Sequence, residues 1–191
     1  FTPTITVYST GTINGKNGTG IHSAGFGLWY IYGTVTGNVA AQLDSGRIYV
    51  KDGAIILGGN TFSAPNIMDK YASSAAGIGI LLAKNAGNVR AEIENGTISG
   101  AYSVYEVDVD GSHSGITILI TGGTFKGNVH SDNVDGFITG GNYSTDVSTY
   151  VSTTCRLDKS ADGTGYIVTP ITSGAIRIGS TYFTSLADAV D

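Results

Sequence analysis

Apolar and polar positions along this chain alternate in short runs, and glycines close nearly every run. Four of the runs are near copies: Gly11-Thr12-Ile13-Asn14-Gly15, Gly33-Thr34-Val35-Thr36-Gly37, Gly96-Thr97-Ile98-Ser99-Gly100 and Gly123-Thr124-Phe125-Lys126-Gly127. Looser copies stand at Gly53-Ala54-Ile55 and Gly141-Asn142-Tyr143-Ser144. Alternation with period two predicts strands, and the glycines predict corners where a Cβ does not fit or φ is positive. The first glycines of successive copies are separated by 22, 20, 43, 27 and 18 residues. Counting the longest interval as two periods gives a repeat of about 22 residues.

That period suits one coil of a parallel β-helix, with about three short strands and three corners. Ile13, Val35, Ile98 and Phe125 are expected to point inward, each stacked on its equivalent about 4.8 Å away in the next coil. The threonines are expected outside, on a pleated surface that suits their branched side chains. Other repeats of similar length fit less well. The leucines are few and recur on no period, as a leucine-rich repeat would require, and tandem Gly-Gly-x-Gly-x-Asp units are missing. A β-sandwich of short strands competes with the solenoid at this point.

Composition sharpens the class. Glycine is high at 29 of 191 residues, proline is only 3, and charged residues are 13%, while β-branched residues and tyrosine abound. Disorder needs more charge, and a helical protein needs more Ala, Leu, Glu and Lys. A net charge of −5 without any basic run argues against nucleic acid as a partner. The longest apolar stretches, such as 78–83 and 54–57, are too short to enter a bilayer as a spanning helix. No charged-then-apolar leader opens the sequence. The lone Cys155 makes no internal disulfide.

The run Ile120-Thr121-Gly122-Gly123-Thr124-Phe125, followed by Ile138-Thr139-Gly140-Gly141-Asn142-Tyr143-Ser144-Thr145-Asp146-Val147-Ser148-Thr149-Tyr150-Val151, resembles a segment of large repetitive surface proteins of gut bacteria. These carry pectate-lyase-like right-handed β-helix modules, and a segment of this kind closes the helix. The resemblance covers most of residues 90–191. It implies an all-β, right-handed parallel β-helix of about six to seven coils over residues 1–152, at a bacterial surface or secreted. It implies a C-terminal β-hairpin cap around 157–168, with 153–191 holding that cap and the start of a following module. Residues 175–178 and 181–183 flank Gly179-Ser180 and read as a further hairpin. A helix is expected to start at Thr184 or Ser185, so neighbouring modules of a longer chain are expected partners.

Two constellations depart from the repeat. In Tyr105-Glu106-Val107-Asp108-Val109-Asp110, strict alternation places the apolar residues inward and Glu106, Asp108 and Asp110 on one outward face. Three readings stay open for that face: a calcium site, a carboxylate pair suited to an inverting glycosidase, and a solvated strand. In 28–35, parity from inward Val35 places Trp29 and Ile31 inside and Tyr30 and Tyr32 outside. There they are either a stacking surface for sugar rings or ordinary strand formers. Arg90, Glu92 and Glu94 share one parity, as the base and acids of a polyuronate lyase would. His22, His113 and His130 lie in polar contexts without a metal or triad pattern. The expected function is a non-enzymatic spacer or adhesin that binds glycans or host surface polymers on its outer sheet. The alternative is a polysaccharide lyase or glycoside hydrolase on the same fold.

Overall fold

The computed structural model describes residues 2–66, 74–85, 87–109, 111–112, 114–171, 176–178 and 181–183. The helix expected from residue 184 lies outside them, as do Asp110 and His113.

The strands come in triplets. The first is β1 (Thr4–Val7), β2 (Thr12–Asn14) and β3 (Thr19–Ser23). The second is β4 (Leu28–Ile31), β5 (Thr34–Thr36) and β6 (Val39–Leu43). The third is β7 (Gly46–Val50), β8 (Ile55–Leu57) and β9 (Ile78–Lys84). In the next two circuits β10 (Val89–Ile93) precedes a long β11 (Thr97–Asp108), and β12 (Ile116–Ile120) precedes β13 (Thr124–Ser131). Finally comes β14 (Gly141–Tyr143).

Every member of a triplet pairs in parallel with its counterpart in the next. A first sheet runs β1-β4-β7-β10-β12. A second ladder runs β2-β5-β8-β11-β13-β14, and a third runs β3-β6-β9-β11-β13, both within one larger mixed sheet. Strands β11 and β13 serve both ladders and bend between them, with register shifts between Ser99 and Tyr102 and between Tyr102 and Val104. The chain is therefore all-β, and no α-helix occurs among the described residues.

Stacking inside the second ladder follows the expected unit. Ile13, Val35, Ile56, Ile98, Phe125 and Tyr143 occupy one inward row. All but the first are buried, and Ile13 is half-buried at the row's end. Phe125 and Tyr143 stack with ring centroids 4.7 Å apart. The Tyr143 hydroxyl donates to Gly140 O, and burial pushes its pKa above the ordinary phenol value. The threonine rows face outward. Gly33 shows why the corner excludes a side chain: a Cβ there would lie 2.2 Å from Tyr8 O and 2.4 Å from Gly11 O.

Two details differ from the repeat as read. At the loose copy, Thr34 pairs with Ile55 and Val35 with Ile56, so Ile55 takes the outward threonine position and Ile56 the inward one. The longest interval is also not two periods. Ile55 pairs directly with Thr97, so that whole stretch is one circuit carrying a long excursion after β8. Phe62 and Ala75 of this excursion lie on the outer face of the third ladder. There Val39, Ile78, Leu81, Ala83 and Val107 form a second apolar cluster, with Ala75 packed on it and Phe62 against Tyr102 and Tyr105.

Beyond β14 the direction changes. Strands β15 (Cys155–Lys159) and β16 (Tyr166–Pro170) form an antiparallel hairpin, and β16 pairs antiparallel with β14. The hairpin contributes Val168 and Cys155 to the core. A separate hairpin joins β17 (Ile176–Ile178) to β18 (Thr181–Phe183).

Candidate functional site

The third ladder reverses the expected orientation around Glu106. Counted by twos from inward Ile98, positions 104 and 106 fall on the core side, and the apolar run Tyr105-Val107-Val109 falls on the other. Val104 and Glu106 consequently pair with Ile80 and Leu82 and point into the molecule, while Tyr105 and Val107 lie on the covered outer face. Glu106 is 0% exposed. Its Oε2 accepts from Ser131 Oγ (2.8 Å), Asp132 N (2.9 Å) and Asn133 N (3.0 Å), and its Oε1 from Asn133 Nδ2 (2.9 Å). It fastens the turn after β13 to the neighbouring strand.

The acidic face expected from alternation thus loses its first member. Asp108 is half-buried at the strand end, where its Oδ1 accepts from Gly111 N (3.0 Å). Among the described residues no three His, Cys, Asp or Glu side chains group so as to hold a metal ion. The histidines that are described each meet a carboxylate. His22 Nε2 lies 2.7 Å from Asp44 Oδ2, and His130 Nε2 lies 2.9 Å from Asp132 Oδ1.

The aromatic pair keeps its expected orientation. Ile31 is buried and Trp29 packs on the core, so Tyr30 and Tyr32 project from the outer face of the first sheet. Parallel register sets Tyr30 beside Tyr49 of β7, and their rings stack with centroids 4.7 Å apart and planes 9° from parallel. Cross-strand neighbours in a parallel pair are about 4.8 Å apart, so flat rings on adjacent strands meet face to face. Thr6, Tyr8, Tyr30, Tyr32 and Asp52 line a shallow cleft of about 410 Å³. Tyr8 is 71% exposed at its rim. Asp52 Oδ1 accepts from Asn95 Nδ2 at 2.9 Å.

Around the tyrosines lies a set of charges. Lys51 stands over the Tyr49 ring, 5.7 Å from its centroid, and pairs with Glu94. The hydrogen bond to Glu94 raises the lysine pKa above its ordinary value, with partial desolvation opposing it. Arg90 pairs with Glu92 on its own strand at 2.5 Å. A second cleft of about 570 Å³ opens on this side of the molecule, lined by Thr2, Phe26, Leu28, Arg47 and Asn88 among others.

Tyr49 was within reach of sequence reasoning, because inward Ile48 and Val50 set its parity exactly as Ile31 sets that of Tyr30. Tyr8 and Asp52 follow their strands into turns. Only the ladder register brings them to the same cleft. Arg47 and Phe26 carry no local signal that joins them.

No protein-family model, no curated protein and no solved structure matches this chain. No helix among the described residues is long and apolar enough to cross a membrane.

Proposed function

We propose that this chain is a right-handed parallel β-helix of six coils, closed by the 155–170 hairpin. In this reading it acts as a non-enzymatic surface or secreted module that holds glycans on the outer face of its first sheet. Three parallel ladders visited in turn support the solenoid. The resemblance of 120–151 to gut-bacterial surface modules supports the pectate-lyase-like class, the location and a place beside other modules.

The observation that carries the binding role is the stacked Tyr30–Tyr49 pair, continued by Tyr32 and Tyr8 around an open cleft. The stacked rings cover one face of each other and leave their edges and one outer face each to a pyranose, while Asp52 and Thr6 offer acceptors to its hydroxyls. The competing lyase reading needs Arg90 as a free base beside Glu92 and Glu94. Arg90 and Lys51 are instead spent in ion pairs with Glu92 and Glu94, which favours binding over turnover.

The test is affinity electrophoresis on plant and mucin glycans with the intact chain, Tyr30→Ala and Tyr32→Ala. Loss of one platform ring is expected to weaken retention about tenfold, or ~1.4 kcal/mol. New reducing ends or unsaturated uronate absorbance would overturn the non-enzymatic reading. No retention on any glycan would overturn the binding reading.

A further inference from the structure

Arg47 is an exposed cation without an acidic partner among the described residues, on a protein of net charge −5. It faces outward two residues before Tyr49 on the same strand, so about 6.8 Å separates their rows along the sheet. Its direct cross-strand neighbour is Arg90. Like charges directly opposite one another are unfavourable. Arg90 is compensated by Glu92, and Lys51 by Glu94. The outward positions of β7 and β10 are therefore left with one uncompensated positive charge, at Arg47. That guanidinium lines the larger cleft beside Phe26, which is 70% exposed, and beside Asn88.

The opposite end of the platform has the reverse character. Asp52 borders the tyrosine cleft, several residues further along the strand direction. A carboxylate there accepts from neutral hydroxyls and repels an anion.

Resting on the glycan-binding reading above, we infer that the ligand is a glycan with widely spaced anionic groups. One carboxylate or sulfate is held by Arg47, and neutral sugars are held against the edges of the stacked Tyr30 and Tyr49 rings and beside Tyr32. A guanidinium takes either oxyanion in a bidentate pair, and Phe26 supplies an apolar wall beside it. A polymer charged on every residue would set an anion against Asp52 while satisfying Arg47 once.

The experiment uses the intact chain with three polymers. One alternates N-acetylglucosamine and glucuronate, one is the same polymer with its carboxyls reduced, and one is homopolygalacturonate. A sulfated alternating polymer forms a fourth arm that separates the two oxyanions. The native alternating polymer should bind about fivefold tighter than its reduced form, and added salt should erase the difference. Arg47→Gln should lower native binding to the reduced-polymer level and leave reduced-polymer binding unchanged. Asp52→Asn should raise binding of homopolygalacturonate. Tyr30→Ala should weaken all the polymers alike.

Equal binding of native and reduced polymers would overturn the anion assignment and leave glycan binding standing. Homopolygalacturonate binding as tightly as the alternating polymer would overturn the spacing. Retention of none would remove the glycan reading itself, and this inference with it. Arg47 is exposed, so far-UV circular dichroism of Arg47→Gln should match the parent.

Discussion

Replacing Glu106 separates the orientation observed here from the one that alternation along 105–110 implies. In the structure its carboxylate takes four donors, among them the backbone N–H groups of Asp132 and Asn133 and the Ser131 hydroxyl. Glu106→Ala strands those donors beside an apolar gap. Each costs about 1–3 kcal/mol when water cannot reach it. Asp132 is exposed, so water restores part of the loss, and the net cost is about 2–4 kcal/mol. Glu106→Gln keeps one oxygen for the backbone donors and removes the charge, costing about 1–2 kcal/mol. At roughly 2–4 °C per kcal/mol for a chain of this length, Tm should fall by about 10 °C for alanine and about 4 °C for glutamine. Thermal melts give the first readout. Hydrogen exchange gives the second, with the Asp132 and Asn133 amides losing protection in Glu106→Ala. An outward, solvated Glu106 would make both substitutions neutral within about 0.5 kcal/mol. That result, with both amides unprotected in the parent chain, would refute the burial argument.

Two further predictions concern the corners and the cap. Gly33→Ala drives a Cβ into two backbone oxygens, and denaturant melts should show a loss of more than about 2 kcal/mol. Gly25→Ala meets nothing within 4 Å and should stay within about 0.5 kcal/mol of the parent. In the turn of the cap, Asp162 accepts from Ser160 Oγ and from the Thr164 amide and hydroxyl, and these bonds lower its pKa from the ordinary 3.8 to about 2. A depressed folded pKa contributes stability that is present above the unfolded value and is lost as pH falls through the folded one. The turn should therefore loosen between about pH 4 and pH 2. A carboxyl titration followed by NMR, with a midpoint near 3.8 instead of 2, would contradict this.

Much of the strand stacking was legible locally. Ile13, Val35, Ile98 and Phe125 share a row because a Gly-Thr-apolar unit places its third residue inward whatever surrounds it. Tyr30 and Tyr32 project outward because Ile31 and Val35 do not. Glu106 follows the same count from Ile98, but its immediate neighbours point the other way. Period two assigns residues to two faces without saying which face is the core, and the apolar run Tyr105-Val107-Val109 lies on the face away from Ile98. The second apolar cluster under the excursion made the outer face look like an inner one, since Val107 is buried on the side away from the main core.

The sequence by itself thus determined the strand unit, its stacking row and the outward placement of Tyr30 and Tyr32, since each follows from near-neighbour geometry. Only the tertiary structure decided what lies next to what across strands. Tyr49 stacks on Tyr30, Arg47 sits unpaired beside Arg90, and Asp52 reaches the tyrosine cleft because of how many residues each circuit consumes. That count varies from one circuit to the next with the excursions between strands. Register is therefore a property of the paired ladders and of the core packed between them, which no local pattern contains.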